Sequence, residues 1–327
     1  MMNVRHDIRI AAVLGTLALA LGAQPALSQS YPSKPIRLIL PLSTGSTGDV
    51  VARILSGPMS KALGQQLVVE NLPGAGGVTG TQQLVRAPKD GYTVALITSN
   101  HVINPSIYKS IPYDSLKDIT PITVIGNSPL VLVVHPGVAA KNTQELIALA
   151  KAKPGALNYG SAGNGSVLHL AGVLFATEAG IDIRHVPYKG SGPLVGDLLG
   201  GQVEMGILGL PSVVGQVKSG KLRAIGVTTR QRAAVMPDVP TLAESGLPNY
   251  NFDAWIAFIG PAGLPQTVAD RIYAETKAAL AMKEVQDAFA AQGLVAMGST
   301  PEQTLQFFQS ELAKHTKLVK QSGAALD

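Results

Sequence analysis

The sequence contains no cysteine. This absence excludes disulfide bonds, thiolate nucleophiles, zinc sites built on thiolates and a lipid anchor on an N-terminal cysteine. Charged residues are also scarce, at 14% of the 327 residues, and the net charge of +5 is not gathered into any block of lysine and arginine. We therefore expect no nucleic acid among the partners of this protein.

Long apolar runs are almost missing too. The one at residues 10–23, IAAVLGTLALALGA, is shorter than the ~20 residues that a membrane-spanning helix needs. Two arginines precede it, as in a secretory signal peptide. The small residues Ala26 and Ser28 lie at the third and first positions before a cleavage site ahead of Gln29, which is also typical of such a peptide. We predict that residues 1–28 are a signal peptide, cleaved between Ser28 and Gln29, and that the mature protein is periplasmic.

The motifs that mark common enzyme classes are missing as well. GxSxG and HExxH do not occur, and the six histidines show no metal-ligand spacing. Gly48 is followed by Asp49 where a phosphate-binding P-loop has lysine. Gly74, Gly76 and Gly80 follow GxGxxxG rather than the dinucleotide fingerprint GxGxxG. We predict a protein that is not an enzyme and that holds no cofactor and no metal.

Strand-like and helix-like patterns alternate along the chain. The apolar runs KPIRLILP, YTVALIT and PLVLVVHP are typical of buried strands, whereas GDVVARILSGPMSKAL and NTQELIALAKAKPG are typical of amphipathic helices. Such alternation predicts an α/β fold with parallel strands and right-handed crossovers. The C-terminal third instead predicts two long amphipathic helices, within residues 265–282 and 300–323.

Three strand–loop–helix units carry loops of small residues, at 43–48, 160–166 and 189–193. Ligands of open α/β sheets bind beyond the carboxyl ends of the strands, so we expect these loops to face a cleft. Hydroxyls, backbone amides and helix N-termini satisfy a carboxylate without lysine or arginine. The same residues also make ordinary turns and caps, and the loops alone leave both interpretations open. Asp49 is predicted to stabilise a helix dipole and to pair with Arg53.

Several stretches occur together and in a specific order. They are PLSTGSTGDVVAR, NLPGAGGVTGTQQLVRAPKDGYTV, INPSIYKSIPYD, YGSAGNGSVLHLAG, VPYKGSGPLVGDLLGGQVEMGI, SGKLRAIGVTT, PTLAESGLPNY and LVKQSGAALD. As a set they closely resemble the Bug family, the TctC-like extracytoplasmic solute-binding receptors of tripartite tricarboxylate transporters. The resemblance covers essentially the whole chain after the signal peptide.

The resemblance implies a type II-like periplasmic-binding-protein fold, with two α/β domains, two interdomain crossovers and a cleft that closes on its ligand. Domain 1 would be discontinuous, from residues 29–128 and 232–327, and domain 2 would span 129–231. The implied function is a solute-binding protein for transport, which captures a small organic carboxylate: a dicarboxylate, a tricarboxylate, an acidic amino acid or an aromatic acid. It would act as a monomer and deliver the ligand to membrane transporter subunits.

The resemblance also implies which residues bind the ligand, on two sides of the cleft. The first loop contributes Leu42, Ser43, Thr44, Gly45, Ser46, Thr47 and Gly48. The opposing side contributes Ser161, Gly163, Asn164, Gly165, Ser166, Lys189, Gly190 and Ser191. The first loop departs from the family pattern, because Leu42 replaces an aromatic residue, Thr44 replaces proline or alanine, and Ser46 replaces a glycine.

Other interpretations remain open at this point. Trp255 matches a family tryptophan, and the sequence leaves open whether it lines the cleft or belongs to the core. An orphan ligand-sensing receptor of the same fold, which signals to a membrane partner, would have the same sequence features. A secreted α/β hydrolase is a third alternative, and it would depend on Ser161 or Ser166.

Overall fold

The first strand, β1 (Ile36–Leu40), is the apolar run IRLIL, and it lies between two parallel partners, β2 (Leu67–Asn71) and β3 (Thr93–Thr98). The computed structural model describes residues 31–322. Five of the six residues of β3 are buried, as expected for a strand that helices cover on both faces. The predicted strand–helix alternation is therefore present from the start of the described chain.

The remaining elements follow in chain order. The other strands are β4 (Ile119–Val134), β5 (Asn158–Ser161), β6 (Arg184–Pro187), β7 (Met205–Gly209), β8 (Arg223–Val227), β9 (Asp253–Pro261) and β10 (Val295–Ala296). The α-helices are α1 (Thr47–Leu63), α2 (Val78–Val85), α3 (Asn100–Ile107), α4 (Thr143–Ala152), α5 (Val167–Ala179), α6 (Ser191–Leu199), α7 (Leu210–Lys218), α8 (Gln266–Ala281), α9 (Lys283–Ala291) and α10 (Pro301–Ser322). A short 3₁₀ turn, Ala75–Gly77, precedes α2.

Within the described residues the strands form one mixed ten-stranded sheet, in the order β2-β1-β3-β9-β4-β7-β5-β6, with β8 and β10 also paired to β4. The strands towards both ends are parallel, whereas β9 runs antiparallel to both β3 and β4. The α/β fold class predicted from the sequence is confirmed. The expectation of parallel strands holds for the two ends of the sheet and is wrong for its centre.

Strand β4 links two halves of this sheet. Its 16 residues pair with β9 over Ile119–Pro129 and with β7 and β8 over Leu130–Val134. We call β1–β3, β9 and the first part of β4 the first half, and β5–β8 with the last part of β4 the second half. The chain passes to the second half within β4 and returns between β8 and β9, which gives the two crossovers. The domain boundaries at residues 128 and 231 stay a prediction.

Local sequence explains where the helices begin. The side chain of Ser46 caps α1 by accepting from the Asp49 amide, and α1 ends at Gly64 in the left-handed conformation. The side chain of Asn142 caps α4 by accepting from the Glu145 amide at 2.8 Å. The predicted ion pair between Asp49 and Arg53 is present, with Nε 3.0 Å from the carboxylate.

Trp255, which the sequence left unassigned, belongs to the core. Its side chain is 1% exposed and stacks on Phe308 with ring centroids 5.1 Å apart. Its indole nitrogen donates to the buried carboxylate of Glu311 at 3.0 Å. These contacts attach α10 to β9, at the centre of the sheet.

The predicted signal peptide, residues 1–28, lies outside the described residues, as does the end of the last family motif. In the part that is described, no helix combines the length and the apolar character needed to cross a membrane.

Candidate functional site

The first loop joins β1 to α1 and is held by the carboxylate of Asp49. That carboxylate accepts from the Gly45 amide at 3.0 Å, from Arg53 at 3.0 Å and from Asn71 at 3.2 Å. Burial alone would raise the pKa of Asp49, but these hydrogen bonds bring it below its usual value. The ionised carboxylate therefore shapes the loop from beneath. Gly45, at φ +77°, takes the left-handed conformation that the turn requires.

The second loop joins β5 to α5 and is held by two histidines. Ser161 Oγ donates to the Gly163 carbonyl at 3.0 Å and lies 2.7 Å from His185 Nε2. The Gly165 amide donates to His169 Nδ1 at 3.1 Å. The two imidazole rings stack, with centroids 4.0 Å apart. These contacts fix the shape of the loop within the protein itself.

Both of these histidines favour the neutral form. Burial lowers the pKa of His169, and burial together with the charge of His169 lowers the pKa of His185 to about 4. The sequence did not indicate this pair. His185 reaches the loop because β6 lies beside β5 with Tyr159 opposite His185, a register that residue spacing does not reveal.

The third predicted stretch follows β6 and opens α6. Lys189 is exposed, whereas Ser191 is buried at the first position of the helix. A Cβ at Gly190 would lie 2.3 Å from Ser43 Oγ, and one at Gly192 would lie 2.8 Å from the Thr44 carbonyl oxygen. The first loop therefore packs directly on the backbone at the start of α6.

The three stretches enclose a cavity of about 530 Å³, which we call the outer cavity. The predicted residues that line it are Leu42, Ser43, Ser46, Gly163, Asn164, Lys189, Gly190 and Ser191. Sequence reasoning missed the rest of the lining, which consists of Pro41, residues 73–77, Asn100, Tyr108, Ala162 and Tyr188. The glycines at 74, 76 and 77 belong to the family motif NLPGAGGVTGTQQLVRAPKDGYTV, and the motif alone does not show that they line the cavity.

A smaller cavity of about 50 Å³, the inner cavity, adjoins the outer one. The predicted residues that line it are Leu42, Ser46, Thr47, Gly48, Ser166 and Ser191. Four predicted residues, Thr44, Gly45, Ser161 and Gly165, line neither cavity. The structure thus brings most of the predicted set together, and their contact with a ligand stays a prediction.

Five helices begin at the inner cavity. Its lining includes Thr47, Asn100, Val167, Ser191 and Gly209, which are the first residues or the cap of α1, α3, α5, α6 and α7. Each helix N-terminus carries a partial positive charge and unpaired backbone amides. Neither cavity has an aspartate or a glutamate in its lining. The site therefore favours an anion, with neutral donors at the inner cavity and Lys189 at the outer one.

Direct contacts join the two halves across this site. The Val167 amide donates to Asn100 Oδ1 at 2.7 Å, and Tyr108 Oη donates to the Asn164 carbonyl at 3.3 Å. The Gly192 amide approaches Ser43 Oγ at 3.5 Å. The described conformation is thus one in which the two sides of the cleft touch.

The Ser161–His185 contact resembles half of a hydrolase triad, but its surroundings differ. Ser161 is fully buried and lines neither cavity. Among the described residues, His185 contacts Ser161, Tyr159 and His169 and has no carboxylate partner. The pair holds the second loop in place, and Ser161 is not presented to the cleft. Ser166, the other serine on which the hydrolase alternative depends, lines the inner cavity and caps α5 by accepting from the His169 amide at 3.2 Å.

Two halves of an α/β sheet, two crossovers and a cleft at helix N-termini define a periplasmic-binding-protein fold. The family model described as "Tripartite tricarboxylate transporter family receptor" matches residues 51–324, and the chain belongs to this family. Protein BugT of Bordetella pertussis is 38% identical over 321 residues, which are 97% of this chain and 98% of that protein. The resemblance to the Bug family is confirmed.

Solved structures agree with this assignment. The periplasmic binding protein BugD has a TM-score of 0.88 at 31% identity and covers 90% of this chain and 99% of its own. R. palustris Rpa4515 with adipate has a TM-score of 0.87 at 31% identity, and the match covers 90% of this chain and 98% of that one. MatC from Rhodopseudomonas palustris with bound malate has a TM-score of 0.84 at 27% identity, and the match covers 88% of this chain and 100% of that one.

Proposed function

We propose that this chain is a periplasmic receptor that captures a small organic carboxylate between the two halves of its sheet and delivers it to a tripartite tricarboxylate-type transporter. The observation that carries the proposal is the convergence of five helix N-termini on a cleft without acidic side chains. The predicted signal peptide supports a periplasmic location.

The donors in the site suit a carboxylate. Ser46 and Ser166 cap their helices by accepting from backbone amides at 3.3 and 3.2 Å, so each hydroxyl proton remains available to a ligand oxygen. A negative charge near one helix N-terminus gains about 0.3–1 kcal/mol, and up to ~2 kcal/mol when partly buried. Several helices together bind a charge of −1 without a salt bridge. Lys189, at the rim of the outer cavity, is a cation for a second carboxylate.

The relatives support the same ligand class. Rpa4515 was solved with adipate and MatC with malate, and both are small dicarboxylates. The outer cavity of about 530 Å³ has room for a molecule of that size. A ligand held by both halves would favour a conformation in which they touch, as Asn100 and Val167 do.

The binding test uses the mature protein from Gln29 onward, stripped of ligand. Its thermal unfolding is followed with C3 to C6 dicarboxylates, citrate, acidic amino acids, nicotinate and benzoate-type acids. A ligand at a hundred times its Kd adds about 2.7 kcal/mol of stability, which corresponds to a shift on the order of 5–10 °C at this size. The neutral amide of each active acid is the matched control. A folded protein that no carboxylate stabilises would contradict the proposal.

Delivery to a transporter needs a separate test. A strain that lacks this chain but keeps the transporter's membrane subunits should lose uptake of the bound carboxylate and regain it when the chain is restored. A receptor that only senses its ligand would bind the same carboxylate and leave uptake unchanged. That result would remove the transport part of the proposal and keep the binding part.

A further inference from the structure

The inner cavity combines two surfaces of opposite character. Its polar lining residues, Thr98 excepted, are the caps or first residues of helices, and Thr98 ends β3 just ahead of α3. Its opposite side is formed by Leu130 of β4 and by Ala254 and Ile256 of β9, which are 1%, 6% and 1% exposed. The strand side of the cavity is therefore hydrocarbon.

The border between the two cavities is also defined. Five residues line both of them: Leu42, Ser46, Asn100, Ala162 and Ser191. Three of these residues belong to the starts of α1, α3 and α6, where a carboxylate meets backbone amides and hydroxyls. Leu42 lies over the first turn of α1, since a Cβ at Gly48 would come 2.3 Å from Leu42 Cδ1. Leu42 thus divides the inner cavity from the outer one.

We propose that the ligand places a carboxylate at this border and a hydrocarbon group, carried next to that carboxylate, in the inner cavity. This inference rests on the proposed function and names the ligand class more closely: alkyl-branched or otherwise apolar carboxylates rather than hydroxy or amino acids. A volume of about 50 Å³ holds roughly four water-sized groups. That is enough for a methyl, ethyl or propyl group.

The hydrocarbon side of the inner cavity disfavours polar substituents on the ligand. A hydroxyl or ammonium group directed at Leu130, Ala254 and Ile256 would leave water and find no hydrogen-bond partner there. A methyl group in the same place would strengthen binding, because its removal from water is favourable. Selectivity then follows from the chemical nature of one substituent, at nearly constant shape and, for methyl against hydroxyl, at constant charge.

The test compares four ligands that share one skeleton: methylsuccinate, succinate, malate and aspartate. They carry a methyl group, hydrogen, a hydroxyl and an ammonium group at the same carbon. By titration calorimetry on the unmodified mature protein, methylsuccinate should bind about fourfold more tightly than succinate, the gain of one buried methyl group. Malate and aspartate should bind at least ~10-fold more weakly than methylsuccinate. Isobutyrate and lactate repeat the comparison with one carboxylate.

The outcomes separate this inference from the proposed function. Malate or aspartate binding as tightly as methylsuccinate would overturn the hydrocarbon assignment and leave the carboxylate receptor standing. If none of the six acids binds, the hydrocarbon assignment is also overturned. The thermal-unfolding test with the wider set of acids then decides whether the chain is a carboxylate receptor.

A variant of the cavity wall locates the effect. Ala254→Ser gives the strand side a hydroxyl, so the preference for methylsuccinate over malate should fall by about threefold or more. Ala257→Ser is the matched control, because Ala257 lies in the same strand, is also buried (0% exposed, against 6% for Ala254) and lines neither cavity. An unchanged preference in a folded Ala254→Ser protein would place the substituent elsewhere. If that variant does not fold, the ligand series on the unmodified protein decides.

Discussion

His169 and His185 stack face to face, with ring centroids 4.0 Å apart and planes inclined by 14°. Each ring also binds the second loop of the cleft, His169 through the Gly165 amide and His185 through Ser161 Oγ. The loop therefore depends on two imidazoles that remain neutral. Protonation would place two like charges in contact and would remove the acceptor for the Gly165 amide.

The first prediction is a loss of stability in mild acid. The pKa of His185 falls from 6.5 to about 4 on folding, first through burial and then through the charge of His169, so the unfolded chain binds more protons between these values. The contribution of His185 is complete above about pH 6.5 and declines as the pH falls towards 4, by roughly 1–2 kcal/mol after allowance for solvent screening.

Urea unfolding from pH 7.5 to 4.5 measures this effect. His101 has its pKa lowered to about 4 by burial, and it contributes to the same slope. The informative comparison is therefore between the unmodified protein and His185→Gln, which removes one titrating group and keeps an amide near Ser161. The pH slope should be smaller in the variant. Equal slopes would show that His185 does not titrate in this way.

The second prediction concerns closure of the cleft. Gly192→Ala would place a Cβ 2.8 Å from the Thr44 carbonyl oxygen, which belongs to the other half of the sheet. We expect about 10-fold weaker ligand binding with little change in melting temperature, because the clash exists only when the two sides touch. Gly196→Ala, in the same helix, meets nothing within 4 Å and should bind ligand normally. Calorimetric affinities of both variants test this, and equal affinities would contradict it.

The third prediction concerns the buried carboxylate beneath Trp255. Burial would raise the pKa of Glu311, but hydrogen bonds and charges from His315 and Lys314 bring it to about 2. Glu311→Ala would leave the indole N–H of Trp255 without its partner, at a cost of about 2–4 kcal/mol in the free energy of unfolding. Glu302→Ala, at an exposed position of the same helix, should cost less than about 0.5 kcal/mol. Denaturant titration of the two proteins would show the difference, and similar losses would refute the network's role.

The fourth prediction orders two variants of the first loop. Asp49→Ala removes the acceptor of Gly45, Arg53 and Asn71, whereas Arg53→Ala removes one largely exposed partner. We expect a loss of about 2 kcal/mol for the former and less than about 1 kcal/mol for the latter. Ligand affinity should also fall more in Asp49→Ala, because the loop loses its shape. The reverse order, in paired urea and binding measurements, would show that Arg53 holds the loop.

The sequence predicted the parts of the fold that depend on local pattern. The strand–loop–helix unit at Ile36–Leu63 was readable because apolar strand, small-residue loop and amphipathic helix follow one another with no interruption. Strand β9 was not predicted. Its place between β3 and β4 depends on antiparallel pairing with residues more than a hundred positions away, and long-range pairing leaves no local signature. The first part of β4 was missed because Pro121, Gly126 and Asn127 are typical of breaks.

The residues of the site also divide into those that a local sequence pattern predicts and those that it does not. Ser43, Ser46 and Ser191 were predicted because they lie in small-residue loops after strands. Leu130 and Ile256 were not, because an apolar residue inside a strand is indistinguishable in sequence from core. Their role depends on where two strands meet the cleft, which only the assembled sheet defines.

The hydrocarbon side of the inner cavity comes from β4 and β9, at the place where the chain passes between the halves. Ala254 is paired with Ser128, and Leu130 begins the segment that pairs with β7. The residues that select the ligand are therefore also those about which the halves would rotate. In a biosensor engineered from this chain, a change of selectivity at these positions would alter the amplitude of the signal as well.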